Sequence, residues 1–183
     1  MSTRGFDPTR LDVEAFAAEA GTLEGRWPLR GFDRLSESAD PETPPGDADE
    51  VAWHGRGEQV RSRDGGHQTW LHLDAQATLK LQCQRCLAPV DVPVIVQRRI
   101  LFVPGEDAAA QIDASSEDDV LAMTRALDLR ELIEDELLLA LPLVPLHDVC
   151  PTPLVAGFTE EGLDERPNPF AALAALKRDG PAN

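Results

Sequence analysis

One run of alternating side chains constrains the fold of this chain more than any other feature. Within the segment Gln68–Gln82, every second residue from Leu71 to Leu81 is leucine or alanine, and the residues between them are polar. Successive side chains of a strand point to opposite faces, so this period of two predicts a long strand with one buried face. Because a strand of this length must twist, the pattern predicts a curved sheet or a partial barrel.

Neighbouring segments predict partners for this strand. The segment Val51–Arg61 precedes it across the turn Asp64-Gly65-Gly66, and valines alternate after it from Val90 to Val96. Pro93 lies within the returning strand and favours an edge position or a bulge. The long strand and the returning strand are therefore predicted to form an antiparallel hairpin with Cys83–Cys86 at its tip.

Helical periodicity flanks the sheet region. Asp7-Pro8 is predicted to supply the N-cap and first helical position of a helix over residues 8–20. Asp128 and Glu131 predict a capping box that begins a helix over residues 128–141. The sequence therefore predicts an α+β fold, with a curved antiparallel β-sheet or partial barrel flanked by N-terminal and C-terminal helices. The apolar stripe of the second helix is predicted to pack on the leucine face of the long strand: Leu132, Ile133, Leu137 and Leu141 against Leu71, Leu73, Leu79 and Leu81.

Two acidic stretches are predicted to be flexible segments of a single domain spanning residues 1–183. Residues 38–49 combine proline, glycine and carboxylates, and residues 104–118 form an acidic, alanine-rich loop. A short strand is predicted near Val120–Met123, and Asn168-Pro169 predicts the start of a last helix.

The three cysteines occur in two short pairs of potential ligands. Cys83 and Cys86 are separated by two residues, and so are His147 and Cys150. Zinc prefers four N or S donors in a tetrahedron, and a two-residue gap lets one tight turn supply two of them. The spacing predicts one structural zinc held by these four residues. Unliganded thiols beside an ordinary imidazole remain an alternative, and so does a redox pair, although a redox motif normally opens a helix.

Charge is unevenly distributed along this acidic chain, which carries a net charge of −16. Residues 1–50 contribute −7, residues 102–183 contribute −12, and residues 51–101 contribute +3. The acidic flanks suit a basic protein partner, and the basic centre suits contact with RNA.

The candidate RNA-contact residues lie in this basic centre. Lys80 and Trp70 share the more polar face of the long strand, where a base could stack on the indole and a phosphate could meet the ammonium. The alternative is that Trp70 covers the edge of the core and the arginines pair with carboxylates. The full candidate set is Arg85, Arg98, Arg99, Lys80 and Trp70.

Other patterns indicate the class of protein. The first residues contain no apolar leader, no apolar run reaches membrane-spanning length, and an odd cysteine count argues against a disulfide framework. No Ser/His/Asp constellation, HExxH motif or glycine-rich phosphate loop is present. We therefore expect a cytoplasmic protein that is not an enzyme.

Three segments carry a resemblance to a known family: LQCQRCLAPV (Leu81–Val90), EDELLLALPLVPLHDVC (Glu134–Cys150) and RPNPFAALAALK (Arg166–Lys177). Together with the segment Asp7–Arg10, they resemble the YceD family of large ribosomal RNA subunit accumulation proteins. The resemblance implies a non-enzymatic factor in ribosome biogenesis that supports synthesis, processing or stability of large-subunit (23S) ribosomal RNA. Its implied partners are this RNA or its assembly intermediates. The alternative is an acidic chaperone or binding partner for a basic large-subunit ribosomal protein.

Overall fold

The long alternating segment forms the middle strand of an open sheet in the computed structural model, which describes residues 5–62 and 65–151. A single 3-10 turn, Leu29–Gly31, precedes the second helix. In chain order the elements are α1 (Val13–Ala18), β1 (Thr22–Pro28), α2 (Asp33–Glu37), β2 (Glu50–Arg61), β3 (His67–Gln82), β4 (Pro89–Val103), α3 (Glu106–Asp113), β5 (Asp119–Ala122) and α4 (Leu129–Leu139).

The strands are arranged in the order β1-β2-β3-β4-β5, and the sheet is not closed. The first four strands are antiparallel neighbours, whereas β5 runs parallel to β4. The predicted antiparallel sheet is therefore a mixed one. Parallel neighbours need a crossover connection, and α3 provides it between β4 and β5. An open sheet flanked by helices agrees with the predicted α+β fold built on a curved sheet.

The alternating pattern correctly predicts which face of β3 is buried. Its odd-numbered residues from Leu71 to Leu81 are buried, and most even-numbered ones from Asp74 to Gln82 are exposed. The hairpin prediction is confirmed, because β3 and β4 pair from Thr69↔Phe102 to Gln82↔Pro89.

The first helix begins later than predicted. Asp7 accepts hydrogen bonds from the backbone N–H (2.9 Å) and hydroxyl (2.8 Å) of Thr9, so it forms a turn. Leu11 is fully buried and pairs with Leu127 in an isolated antiparallel bridge, which keeps the backbone extended at that point. Asp12 is the actual N-cap, since its side chain accepts from the N–H of Ala15 at 3.1 Å.

A helix occupies part of the predicted acidic loop at residues 104–118. It is α3, which follows Gly105 with a positive φ of 84°. Ala109 of this helix is buried in a small cluster on the second face of the sheet, so tertiary packing stabilises a segment whose composition favours a loop. The cluster also contains Trp70, Leu101, Val103 and Val120.

The main core lies on the opposite face of the sheet, under α1, α2 and α4. Ile133 and Leu137 of α4 are fully buried, and Leu132 and Leu141 are partly buried. They share one apolar cluster with the odd-numbered leucines of β3, so the predicted packing of this helix on the sheet is confirmed. Asp128 caps α4 as predicted, accepting from the N–H groups of the next residues.

The described residues all lie in one compact unit, residues 1–152. The predicted helix at Asn168-Pro169 lies outside the described residues. The single domain over residues 1–183 and the flexibility of the two acidic stretches stay predictions. Asp40, within the first stretch, is buried and accepts backbone hydrogen bonds from Glu42 and Thr43.

Candidate metal centre and charged surface

The two predicted ligand pairs come together in space. The ligand atoms of Cys83, Cys86, His147 and Cys150 all lie within 4.8 Å of one another. Cys83 is buried and directly follows β3, whereas the other three are partly buried. All three cysteines are free thiols. The cluster therefore joins the tip of the β3–β4 hairpin to the segment that follows α4.

Backbone hydrogen bonds fold the two segments around the cluster. At the hairpin tip, the N–H of Cys83 donates to Ala88 (3.0 Å) and the N–H of Leu87 donates to Cys83 (2.9 Å). Beyond α4, proline ends the helical pattern, and the carbonyl of Pro145 accepts from the N–H of Gln84 at 2.9 Å. These bonds bring the second ligand pair onto the hairpin tip.

The orientation of the imidazole suits a ligand. The Nε2–H of His147 donates to the carbonyl of Pro89 at 3.1 Å, since a carbonyl oxygen only accepts. In the neutral ring this leaves the Nδ1 lone pair pointing at Cys86 Sγ, 3.4 Å away. Metal-bound histidines are typically held in this way, with the distal N–H bonded to a carbonyl or carboxylate.

The thiols differ in acidity. Burial tends to raise the pKa of Cys83, but the backbone N–H groups of Cys86, His147 and Arg85 outweigh it and lower the pKa to about 5. For Cys150, burial raises the pKa, and its hydrogen bonds with the other two thiols raise it further. One sulfur in the cluster is therefore stabilised as a thiolate near neutral pH.

The donor set fits zinc. Zn–S bonds of about 2.3 Å place tetrahedral sulfur ligands about 3.8 Å apart, close to the 4.8 Å limit within which these four atoms lie. A Cys₃His set fills all four positions with protein atoms, which is typical of a structural site, whereas a catalytic site keeps one position open.

Two of the candidate RNA-contact cations form surface ion pairs with carboxylates of the same chain. The Lys80 ammonium donates to Asp91 at 2.7 Å. The Arg98 guanidinium donates through Nε to Glu136 at 2.7 Å and lies 3.9 Å from a carboxylate oxygen of Asp119. Their net positive charge is therefore largely cancelled at the surface.

Trp70 and Arg99 form a stacked pair. The Arg99 guanidinium lies 3.7 Å from the centroid of the Trp70 ring. Only 5% of Trp70 is exposed, because the ring packs against Leu101 and Ala109 in the cluster under α3. The structure thus places Trp70 over a core edge, as in the alternative stated above, and leaves little ring surface for a base. Arg85, at the hairpin tip, is exposed and makes no ion pair within the described ranges.

The sequence did not identify an exposed apolar segment after α4. We call residues 142–149 the proline strap. Leu143 is fully exposed, and Val149 (85%), Val144 (58%) and Leu146 (43%) are also exposed. The sequence signal is the pair of prolines at positions 142 and 145, because they prevent a helix that would gather these side chains on one buried face.

Acidic residues dominate the described surface. Asp and Glu outnumber Lys and Arg by 27 to 12 in residues 5–62 and 65–151. None of the helices in these residues is long and apolar enough to cross a membrane.

Comparison with known proteins places the chain in a family. Residues 71–177 match the family model described as large ribosomal RNA subunit accumulation protein YceD. The large ribosomal RNA subunit accumulation protein YceD of Haemophilus influenzae is 36% identical over 108 residues, which are 56% of this chain and 62% of that protein. The chain thus spans less than two thirds of this relative's length. No solved structure matches this chain. Since the family model covers more than half of the chain, including both ligand pairs, the chain belongs to the YceD family of large ribosomal RNA subunit accumulation proteins.

Proposed function

We propose that this chain is a non-catalytic factor that supports accumulation of large-subunit ribosomal RNA, and that it does so by binding a basic protein partner. The family description and the printed name of the Haemophilus influenzae relative support the process. One observation supports the mode of action: three of the candidate RNA-contact side chains already have partners within the chain. Lys80 and Arg98 pair with carboxylates, and Arg99 stacks on a covered indole.

The charge of the surface supports the same mode. A net charge of −16 repels the phosphate backbone at long range, whereas it attracts a protein rich in lysine and arginine. Proteins that bind RNA tightly are themselves basic before they join it. An acidic factor that holds such a protein would influence ribosomal RNA levels without touching the RNA.

We also propose that the Cys₃His cluster binds one structural zinc. Its role is to hold the strap against the hairpin tip, since two ligands come from each segment. A closed four-ligand site provides no open position for substrate, which supports a non-catalytic protein. Reduced thiols suit the cytoplasm, where we place this activity.

The experiment is affinity capture of the full chain from growing cells, with and without ribonuclease. The proposal expects a basic protein to remain bound after RNA digestion, and the purified pair to form a complex that weakens with salt. Loss of every basic protein on ribonuclease treatment would contradict it, because the partner would then be held through RNA.

Arg85 supports a second candidate function, direct RNA contact at the hairpin tip, because it is exposed and unpaired within the described residues. If it meets a phosphate, Arg85→Glu weakens binding of ribosomal RNA fragments and lowers the salt slope by about one. Arg125→Glu is the matched control, since Arg125 is also exposed and unpaired in that part of the chain. Our main proposal expects both variants to match the wild type in filter binding over a salt series.

A further inference from the structure

The proline strap exposes more apolar surface than a solvent-facing segment needs. Leu143 and Val149 are 100% and 85% exposed, and Leu139, at the end of α4, is 76% exposed. Single exposed apolar side chains are common, but a contiguous group of them marks an interaction site. The strap is also anchored, through the bond between Gln84 and Pro145 and through the ligand cluster.

A groove of about 720 Å³ runs between the strap and the start of β4. Val90, Val92 and Pro93 line the β4 side, and Val144 and Leu146 line the strap side. Such walls accept apolar side chains. The groove is open along its length, so it suits an extended chain better than a compact small molecule.

One wall of this groove is an unpaired strand edge. Strand β5 pairs only with residues 100–103 of β4, and no other described strand lies beside residues 89–99 on that side. Every second residue of an edge strand directs its backbone N–H and C=O outward. Pro93 removes one donor and protects the edge against indiscriminate pairing, and the carbonyl of Pro89 already accepts from His147. Asp91, in the register of Pro93, keeps both its N–H and its C=O for a partner strand.

A free carboxylate lies at the rim of the groove. Asp148 is exposed and has no ion pair within the described residues, whereas Asp91, on the opposite wall, is paired with Lys80. Asp148 adds to the acidic field of the described surface, where Asp and Glu outnumber Lys and Arg by 27 to 12. The charge therefore complements lysine and arginine side chains that flank an apolar core.

We propose that this groove binds an extended segment of a basic protein, whose backbone pairs with the free edge of β4 and whose apolar side chains contact the proline strap. This mode of strand addition obtains affinity from backbone hydrogen bonds and specificity from alternate side chains. The inference rests on the proposed function and identifies the site and the chemistry of the partner segment.

The test uses the full chain and fluorescein-labelled peptides about twelve residues long, enough to span the free edge of β4. One peptide alternates lysine with valine, a second alternates lysine with serine, and a third alternates glutamate with valine. We expect the lysine–valine peptide to bind at least about tenfold more tightly than either of the others, because only it satisfies both the apolar walls and the acidic rim.

The variant Val144→Ser/Val149→Ser tests the location, because both side chains line the groove. We expect it to weaken the lysine–valine peptide by about tenfold or more, while its melting temperature matches the wild type because both side chains are exposed. Ile112→Ser is the matched control: Ile112 is 39% exposed on α3, outside both this groove and the free edge of β4, so it leaves binding unchanged.

Each other outcome overturns a distinct statement. Tight peptide binding that the double variant does not weaken overturns the groove while leaving the proposed function intact. A wild type that binds neither basic peptides nor basic proteins overturns the proposed function as well. Loss of ribosomal RNA affinity in the double variant, or conversion of a dimer to a monomer in sedimentation velocity, assigns the surface to RNA or to a second copy and overturns the proposal.

Discussion

Zinc binding by the Cys₃His cluster should depend steeply on pH, by an amount that the structure allows us to estimate. The sulfurs bind as thiolates, so protons compete with the metal. Cys83 has a pKa of about 5, so it is already a thiolate at pH 7 and releases no proton. Cys150 loses its proton on binding, because burial and its hydrogen bonds with the other two thiols raise its pKa.

Zinc uptake should therefore release at least about one proton near pH 7, and each released proton changes the affinity about tenfold per pH unit. The sign follows from competition: affinity falls as the solution becomes more acidic. Between pH 7.5 and pH 6.5 we expect a loss of at least about tenfold, measured by competition with a chromophoric chelator. Proton release is measured directly with a pH indicator in weakly buffered solution.

Two serine variants make this estimate specific. Cys150→Ser should lower the release by about one proton per zinc, because it removes a protonated ligand. Cys83→Ser should leave the release unchanged, because it removes the sulfur that is already a thiolate. Equal proton release by the two variants, or a zinc affinity that does not change with pH, would refute the reasoning about Cys83 and the cluster.

Two further predictions concern the scaffold that holds this site. Leu137→Ala should lower the free energy of unfolding by about 3 kcal/mol and the melting temperature by roughly 6–12 °C. Leu139→Ala, at an exposed position of the same helix, should change both quantities little. Equal effects of the two variants would place Leu137 outside the core. Gly57→Ala should cost about 1–3 kcal/mol in denaturant unfolding, because a Cβ would lie 2.8 Å from the backbone of Ala17. Gly55→Ala should cost less than about 1 kcal/mol, since its Cβ would meet only an ordinary contact at 3.9 Å, and a reversed order would contradict the close approach of α1 to β2.

Much of the fold could be predicted because its strongest patterns are local. The alternation around Leu71–Leu81 determines the faces of β3, and the N-cap at Asp128 with the apolar stripe to Leu137 determines α4. The strand β3 and the helix α4 each have one apolar face, and the two faces pack against each other. The spacing of the four metal ligands is equally local within each pair.

Local patterns were insufficient where a long-range contact decides the backbone. Asp7-Pro8 has the composition of a helix start, but the bridge between Leu11 and Leu127 delays the helix until Asp12 caps it. The acidic stretch at residues 104–118 has the composition of a loop, but burial of Ala109 stabilises a helix there. No property of these segments in isolation indicates either contact.

The candidate sites show the same division between what local patterns predict and what long-range contacts decide. By itself the sequence determined that residues 51–101 are basic, that a long strand must have one buried face, and that two ligand pairs exist. Only the tertiary structure decided that the two ligand pairs meet and that Arg98 lies beside Glu136, 38 residues away in the chain. It also decided that α3 covers Trp70 and that the strap stays exposed, because charge pairing and burial depend on which distant segments the fold brings within contact distance.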